Sequence, residues 1–150
     1  MTRGMPAYAF SLPDTAGNLI KMQDFSGKVT LIDFMFHPCV GCAKLEPFLE
    51  KVHDYFKDNN KVAFIAISTD QNKEWREYQN SKYKCFVPGS VFLYTNGEGV
   101  KHPIIKYYDI IPFPTLILID KEGKIITNRA PDPRNDNGEA LIKLIKEHLN

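Results

Sequence analysis

The chain has 150 residues, 43% of them hydrophobic and 25% charged, with 19 basic against 18 acidic side chains and a formal net charge of +1. A chain of this length buries roughly 68–70% of its unfolded surface, so it can fold without disulfide staples or a structural metal. The near-neutral charge gives no electrostatic footprint for nucleic acid or an anionic membrane, and no apolar run approaches the ~18 residues of a membrane span. Three cysteines are too few for a disulfide scaffold, and an odd number leaves at least one without a partner in the chain. One domain over residues 1–150 is expected, with 1–6 as a disordered tail. Met1 to Pro6 lacks the apolar stretch of a signal peptide. A cytosolic protein, a processed form and an excised domain all fit that start.

In chain order, Tyr8 to Leu12 reads as a short strand, Asp14 to Asn18 as a turn and Leu19 to Lys21 as the returning strand. Val29 to Phe36 is apolar at nearly every position, the pattern of a central strand covered on both faces; its one carboxylate, Asp33, needs a reason to be there. From Val40 to about Asn59 the spacing turns helical. Leu45, Phe48, Leu49, Val52, Tyr55 and Phe56 form one apolar stripe, and Pro47 inside it removes a backbone donor. Val62 to Ser68 reads as a second buried strand, Asp70 to Lys82 as a polar helix carrying Trp75 and Tyr78, and Val91 to Tyr94 as a short strand or a buried loop. His102 to Asp109 predicts a short helix. Thr115 to Asp120 turns through Lys121–Lys124 into Ile125 to Thr127, an antiparallel hairpin. After a turn-rich loop over Pro131 to Gly138, Asp136 with Glu139 has the spacing of a capping box before a helix striped with Leu141, Ile142, Leu144, Ile145 and Leu149. Strands alternating with helices and closing on a hairpin predict an α/β domain with a mixed central sheet.

The chemistry concentrates at Cys39-Val40-Gly41-Cys42, where a buried strand gives way to a helix start. A sulfur there meets unpaired backbone N–H groups and the positive end of the helix dipole, both of which favour the thiolate. Two intervening residues on a helical turn bring the second sulfur within disulfide reach. Cys39 is then the exposed nucleophile and Cys42, one turn inward, the resolving thiol of an exchange through a mixed disulfide. Half of a zinc site, or two structural thiols, are the competing readings. Zinc would need two more ligands, and His37, His53, His102 and His148 are scattered. Asp33 buried under the helix would have a raised pKa, which suits a general base that could take the proton of Cys42; a structural acid paired with a lysine or hydroxyl is the alternative. Cys85 reads as a bystander. His37 reads as a solvated loop histidine, and Phe36, Phe113 and Tyr108 as a candidate apolar rim.

Asp33-Phe34-Met35-Phe36-His37-Pro38-Cys39-Val40-Gly41-Cys42, with Pro47 five residues on, resembles the thioredoxin active-site segment. Ile111-Pro112-Phe113-Pro114-Thr115 before a strand is similar to that family's cis-proline loop. The stretch from Phe10 to Lys28, with its Asp-x-x-Gly turn, is similar to the TlpA/ResA-like, AhpC/TSA-related branch of thiol–disulfide oxidoreductases. The resemblance implies a thioredoxin-like fold with an N-terminal hairpin and a central insertion. Its redox group would be the dithiol, with no organic cofactor and no metal. It implies that Pro114 is cis (with Pro112 the alternative) and packs against the cysteine pair. The backbone of Phe113 would pair with an extended substrate segment, and Val40 and Gly41 complete the docking surface. Partners would be protein disulfides or dithiols and an upstream electron donor, the protein a monomer, and its place outside the cytoplasm, acting as a reductant. With so little net charge, shape and backbone pairing around Pro114 should govern partner choice.

Several positions depart from the family. Met35 and Pro38 replace common aromatics, Gly41 replaces a common proline, and Leu45 stands where the branch often has a glutamate. Glu46 is one place later, rotated by ~100° on a helix. A peroxiredoxin would need Thr where Phe36 stands. A copper metallochaperone or redox-inert binding module would need a histidine near the pair, with His102 the candidate.

Overall fold

The computed structural model describes residues 3–36, 39–70 and 87–150. A five-stranded sheet has the order β5-β4-β3-β6-β7, with β3 (Val29–Met35), β4 (Val62–Ser68), β5 (Val91–Tyr94), β6 (Thr115–Ile119) and β7 (Ile125–Thr127). β3, β4 and β5 run parallel, β6 runs antiparallel to β3, and β7 antiparallel to β6, which makes the sheet mixed as expected. Ahead of it, β1 (Ser11–Pro13) and β2 (Leu19–Lys21) form a hairpin; the first strand begins three residues later than the alternation at Tyr8 predicts. The helices are α1 (Val40–Tyr55), α2 (Pro103–Tyr107) and α3 (Glu139–Glu147). Beyond Asp70 itself, the helix expected over Asp70–Lys82 lies outside the described residues, as do Cys85, His37 and Pro38.

β3 shows why the fold has three layers. Successive side chains on a strand point to opposite faces. Val29 and Leu31 join Leu45, Leu49 and Val52 of α1, Leu116 and Leu118 of β6 and Ile145 of α3. Ile32 and Phe34 join Phe10 and Leu12, Ile104 of α2 and Ile117. So α1 and α3 cover one face, and the N-terminal hairpin with α2 covers the other. The burial of Leu45, Leu49, Val52 and Phe56 at 0–4% exposure contributes roughly 1.5–3 kcal/mol each. That outweighs the helix cost of about 1 kcal/mol for Gly41 and about 3 kcal/mol for Pro47, so tertiary packing holds α1 in place over the sheet.

Of residues 1–6, expected as a disordered tail, Gly4 and Met5 pair with β7. Gly4 N–H donates to the Ile125 carbonyl, Ile125 N–H to Met5 and Ala7 N–H to Gly123, each at 2.8 Å. These bonds occupy the outer edge of β7, while Asp14 bridges Leu93 on β5 at the opposite edge. One stretch of chain thus blunts both edges of the sheet, which removes templates for edge-to-edge association.

The start of α3 also departs from the capping-box expectation. Its N-cap is Gly138, in the left-handed region at φ 85° with no side-chain cap. Asp136 Oδ2 instead accepts from Ala140 N–H at 3.0 Å and Oδ1 from Gly138 N–H at 3.1 Å, so the carboxylate serves the helix start from two residues upstream. A Cβ at position 138 would sit 2.8 Å from Val52 Cγ2, so glycine is required both for the turn and for the approach of α3 to α1.

Candidate active site

β3 ends at Met35, and Cys39 sits at the N-cap of α1 with extended backbone, φ −129° and ψ 106°. Its Sγ accepts a hydrogen bond from the Cys42 N–H at 3.1 Å, taking up one of the donors that a helix start leaves unpaired. The same donor and the helix dipole would hold a thiolate on Cys39 once the disulfide is opened. Cys39 and Cys42 are disulfide-bonded with their Cα atoms 5.2 Å apart. Cys39 retains 7% exposure and Cys42 1%, so the outer sulfur of the pair is the one expected from the sequence.

Strand alternation puts Asp33 on the α1 face of β3, between Leu31, which packs with α1, and Met35, which packs with Cys39 and Cys42. Asp33 is buried, and its Oδ1 has no hydrogen-bond partner among the described residues. Burial pushes its carboxyl up to about 8. Among the described residues, no lysine or hydroxyl of the structural alternative is bonded to that oxygen. Leu45 is buried at the position where the branch often has a glutamate. Glu46, half-buried on the adjacent face, is pushed up to about 7 by burial first and then by its like-charged neighbour Glu50.

The proline loop approaches the pair through Gly41. A Cβ there would meet Pro114 Cδ at 3.2 Å and the Phe113 carbonyl oxygen at 3.9 Å, so the small residue between the cysteines sets how closely the loop lies. The Ile111–Pro112 and Phe113–Pro114 peptide bonds are both cis. Thr115 Oγ1 donates to the Pro112 carbonyl, tying the loop to the start of β6. Phe113 meets Phe36 edge-on, with ring centroids 5.3 Å apart.

Tyr108 does not belong to this rim. It is fully buried against Phe34, and its hydroxyl accepts from the Tyr8 N–H at 2.8 Å, a partner that gives a phenol reason to be inside. The apolar side chains that do stand out are Val40, 71% exposed, and Ile111, 80% exposed. His102, the candidate copper ligand, is taken up at the start of α2, where its Nδ1 accepts from Ile104 N–H at 3.1 Å and Nε2 lies 3.8 Å from Glu98.

Sequence reasoning passes over Arg129, just beyond β7. Its Nη2 donates to the carbonyls of Asp109 at 3.0 Å and Ile111 at 3.2 Å, and its Nη1 to that of Asn128 at 2.8 Å. Asn128 Nδ2 adds a bond to the Tyr108 carbonyl at 3.3 Å. Two adjacent side chains therefore brace the backbone that leads into Pro112 and Pro114. No motif announces this, because both donors serve carbonyls that are distant in sequence.

A dithiol at a helix start, above a buried carboxyl and beside a proline loop on a mixed sheet, is a thioredoxin-type redox site. A family model for thioredoxin-like proteins matches residues 27–125. The thiol-disulfide oxidoreductase ResA of Bacillus thuringiensis subsp. konkukian is 30% identical over 145 residues, covering 97% of this chain and 79% of that protein. Among solved structures, the thioredoxin domain of a thiol-disulfide oxidoreductase from Bacteroides vulgatus superposes with a TM-score of 0.76 at 29% identity, covering 100% of this chain and 99% of that one. A thiol:disulfide interchange protein from Bacteroides sp. gives 0.73 at 30% identity, covering 100% and 91%. The chain belongs to the thioredoxin-like family and, within it, to the ResA-like thiol–disulfide oxidoreductases.

Proposed function

We propose that this protein reduces disulfides of protein substrates, with Cys39 as nucleophile, Cys42 as resolving thiol and Asp33 as the group that takes the resolving proton. The observation that carries the reading is the N-cap bond from Cys42 N–H to Cys39 Sγ, which places the outer sulfur where a thiolate is stabilised. In the reduced protein the Cys39 thiolate attacks one sulfur of the substrate disulfide; a new S–S bond forms and the substrate's other sulfur leaves as a thiolate. Cys42 then gives its proton to the Asp33 carboxylate and attacks Cys39 Sγ. This closes the internal disulfide and releases the second substrate thiol, so two electrons have passed to the substrate. A dithiol donor restores the pair by the reverse sequence.

The dithiol is the whole redox group, with no organic cofactor or metal in the cycle. Phe113 offers its backbone to an extended substrate segment beside Pro114, and exposed Val40 lies against that segment. The protein acts as a monomer outside the cytoplasm; the family resemblance supports this location, and among the described residues no helix is long and apolar enough to cross a membrane.

Insulin reduction with dithiothreitol as electron source tests the reading. The wild-type protein is expected to catalyse it and Cys39→Ser to lose at least about 10³-fold in rate. Full activity in Cys39→Ser would sink the mechanism. A second expectation concerns the loop contact. Gly41→Val forces side-chain atoms into Pro114, and overpacking of this kind costs about 1–3 kcal/mol. The KM for a protein disulfide is expected to rise about tenfold; an unchanged KM would show that Pro114 does not shape docking.

A further inference from the structure

Beside the proline loop, one helical turn along α1 from Gly41, lies a groove of about 140 Å³ walled by Leu45, Pro112, Pro114 and Leu116. Its volume is of the order of the ~150 Å³ that accommodates a benzene ring, so it can take a side chain. Arg129, Asp132 and Arg134 also line it. Asp132 and Arg134 neutralise one another, with Nη2 to Oδ2 at 2.6 Å and Nε bonded to both carboxylate oxygens at 3.0 Å.

Arg129 is different. Its three hydrogen bonds all go to backbone carbonyls, and among the described residues no carboxylate is ion-paired with it. A guanidinium has five N–H donors in a rigid fork, so the Nε–H and one Nη1–H remain for a ligand. The groove therefore carries one uncompensated positive charge, held in place by the loop it braces. The whole-chain charge of +1 conceals this local asymmetry.

We infer that this groove is a side-chain subsite for an acidic residue of the protein substrate, with Arg129 as the group that binds the carboxylate. The inference rests on the reading of the site as one that docks protein disulfides. A segment lying along Phe113 and Pro114 advances about 3.3 Å per residue. On α1 the groove starts at Leu45, four residues and about 6 Å from Gly41, which places the acidic residue within a few positions of the reacting cysteine. The exposed Val40 at the start of α1 and Ile111, next in the chain to Pro112, favour apolar neighbours. Substrate segments thus combine apolar side chains with one carboxylate next to the cysteine.

The test uses the full chain and peptide dimers joined by one cystine, carrying Glu, Gln or Lys at each flanking position. Each enzymatic rate is divided by the rate of reduction by dithiothreitol alone, which removes the effect of peptide charge on the leaving thiol. At one or more positions the Glu peptide is expected to react about three- to tenfold faster than the Gln peptide and faster still than the Lys peptide, with the advantage shrinking at about 0.5 M salt. Arg129→Glu is expected to invert the Glu-to-Lys ratio and Arg129→Gln to level it. Ratios within one preparation cancel any loss of folded protein, and a merely structural arginine would not invert them. Equal corrected rates for all wild-type peptides would overturn the subsite, and an unaltered ratio in either variant would overturn the role of Arg129. If the wild-type protein reduces none of the peptides, the proposed function itself fails, which is a distinct result.

Discussion

Cys42→Ala is expected to convert the protein from a catalyst into a trap. The first step uses only the Cys39 thiolate, stabilised at the N-cap of α1 by the backbone N–H of residue 42, a donor that alanine keeps. The second step needs the neighbouring sulfur. A well-placed intramolecular group acts at effective concentrations of about 10⁵ M or more, whereas an added thiol competes at only millimolar levels. Removing Cys42 should therefore slow resolution far more than attack, and turnover should fall at least about a thousandfold. A reduced Cys42→Ala protein mixed with a protein disulfide is expected to accumulate a covalent one-to-one adduct. It should be visible by intact mass or on a non-reducing gel and be released by excess dithiothreitol. Cys39→Ala should accumulate none, because the sulfur that remains is 1% exposed in the oxidised protein. Adducts forming on Cys39→Ala as readily as on Cys42→Ala would exchange the roles of the two thiols.

The parts of the site legible in the sequence are those whose cause is local. Cys39-Val40-Gly41-Cys42 announces itself because strand, cap and helix are consecutive. Asp33 stands out because one carboxylate interrupts an apolar strand, and the spacing of the stripe from Leu45 to Phe56 is enough to assign α1 its buried face. The features that the sequence conceals depend on partners far along the chain. Tyr108 has the composition of a rim aromatic, yet the Tyr8 N–H, 100 residues away, satisfies its hydroxyl in the core. Asp136 and Glu139 have capping-box spacing, but the N-cap is Gly138 at φ 85°, where a side chain would run into Val52 of α1. Residues 3–6 look like a tail because pairing with β7 leaves no mark on their composition. Arg129 is the extreme case. Its function as a brace follows only from where the Asp109 and Ile111 carbonyls arrive, and an arginine after a hairpin strand is otherwise an ordinary surface residue.

The buried carboxyl gives the second large effect, and its sign differs from that of a salt-bridged acid. Burial pushes Asp33 up to about 8 in the folded protein, while in the unfolded chain it titrates near the ordinary 3.9 of an exposed aspartate. Below about pH 4 both states hold the proton, and this group's contribution to stability is fully present. Between about pH 4 and pH 8 the unfolded chain has lost the proton and the folded protein keeps it, so stability declines as pH rises. Above about pH 8 the loss is complete. Asp33→Asn cannot titrate. Its stability relative to wild type, measured by urea unfolding of the oxidised proteins, is expected to improve by about 2–4 kcal/mol from pH 4 to pH 8. The change with pH is the diagnostic, because an asparagine amide left unpaired costs about 1–3 kcal/mol at every pH. Glu46 titrates with the same sign, but it is common to both proteins and cancels in the difference. The same substitution removes the proton acceptor for Cys42. At about pH 8, where half of the Asp33 carboxyl is ionised and able to accept, single-turnover release of substrate thiol should slow by about 10²-fold, with Cys39 attack little altered. A pH-independent stability difference would mean that Asp33 does not titrate in this range. Stability that follows the expected slope while release stays fast would leave Asp33 buried and strained, but with no part in the proton transfer.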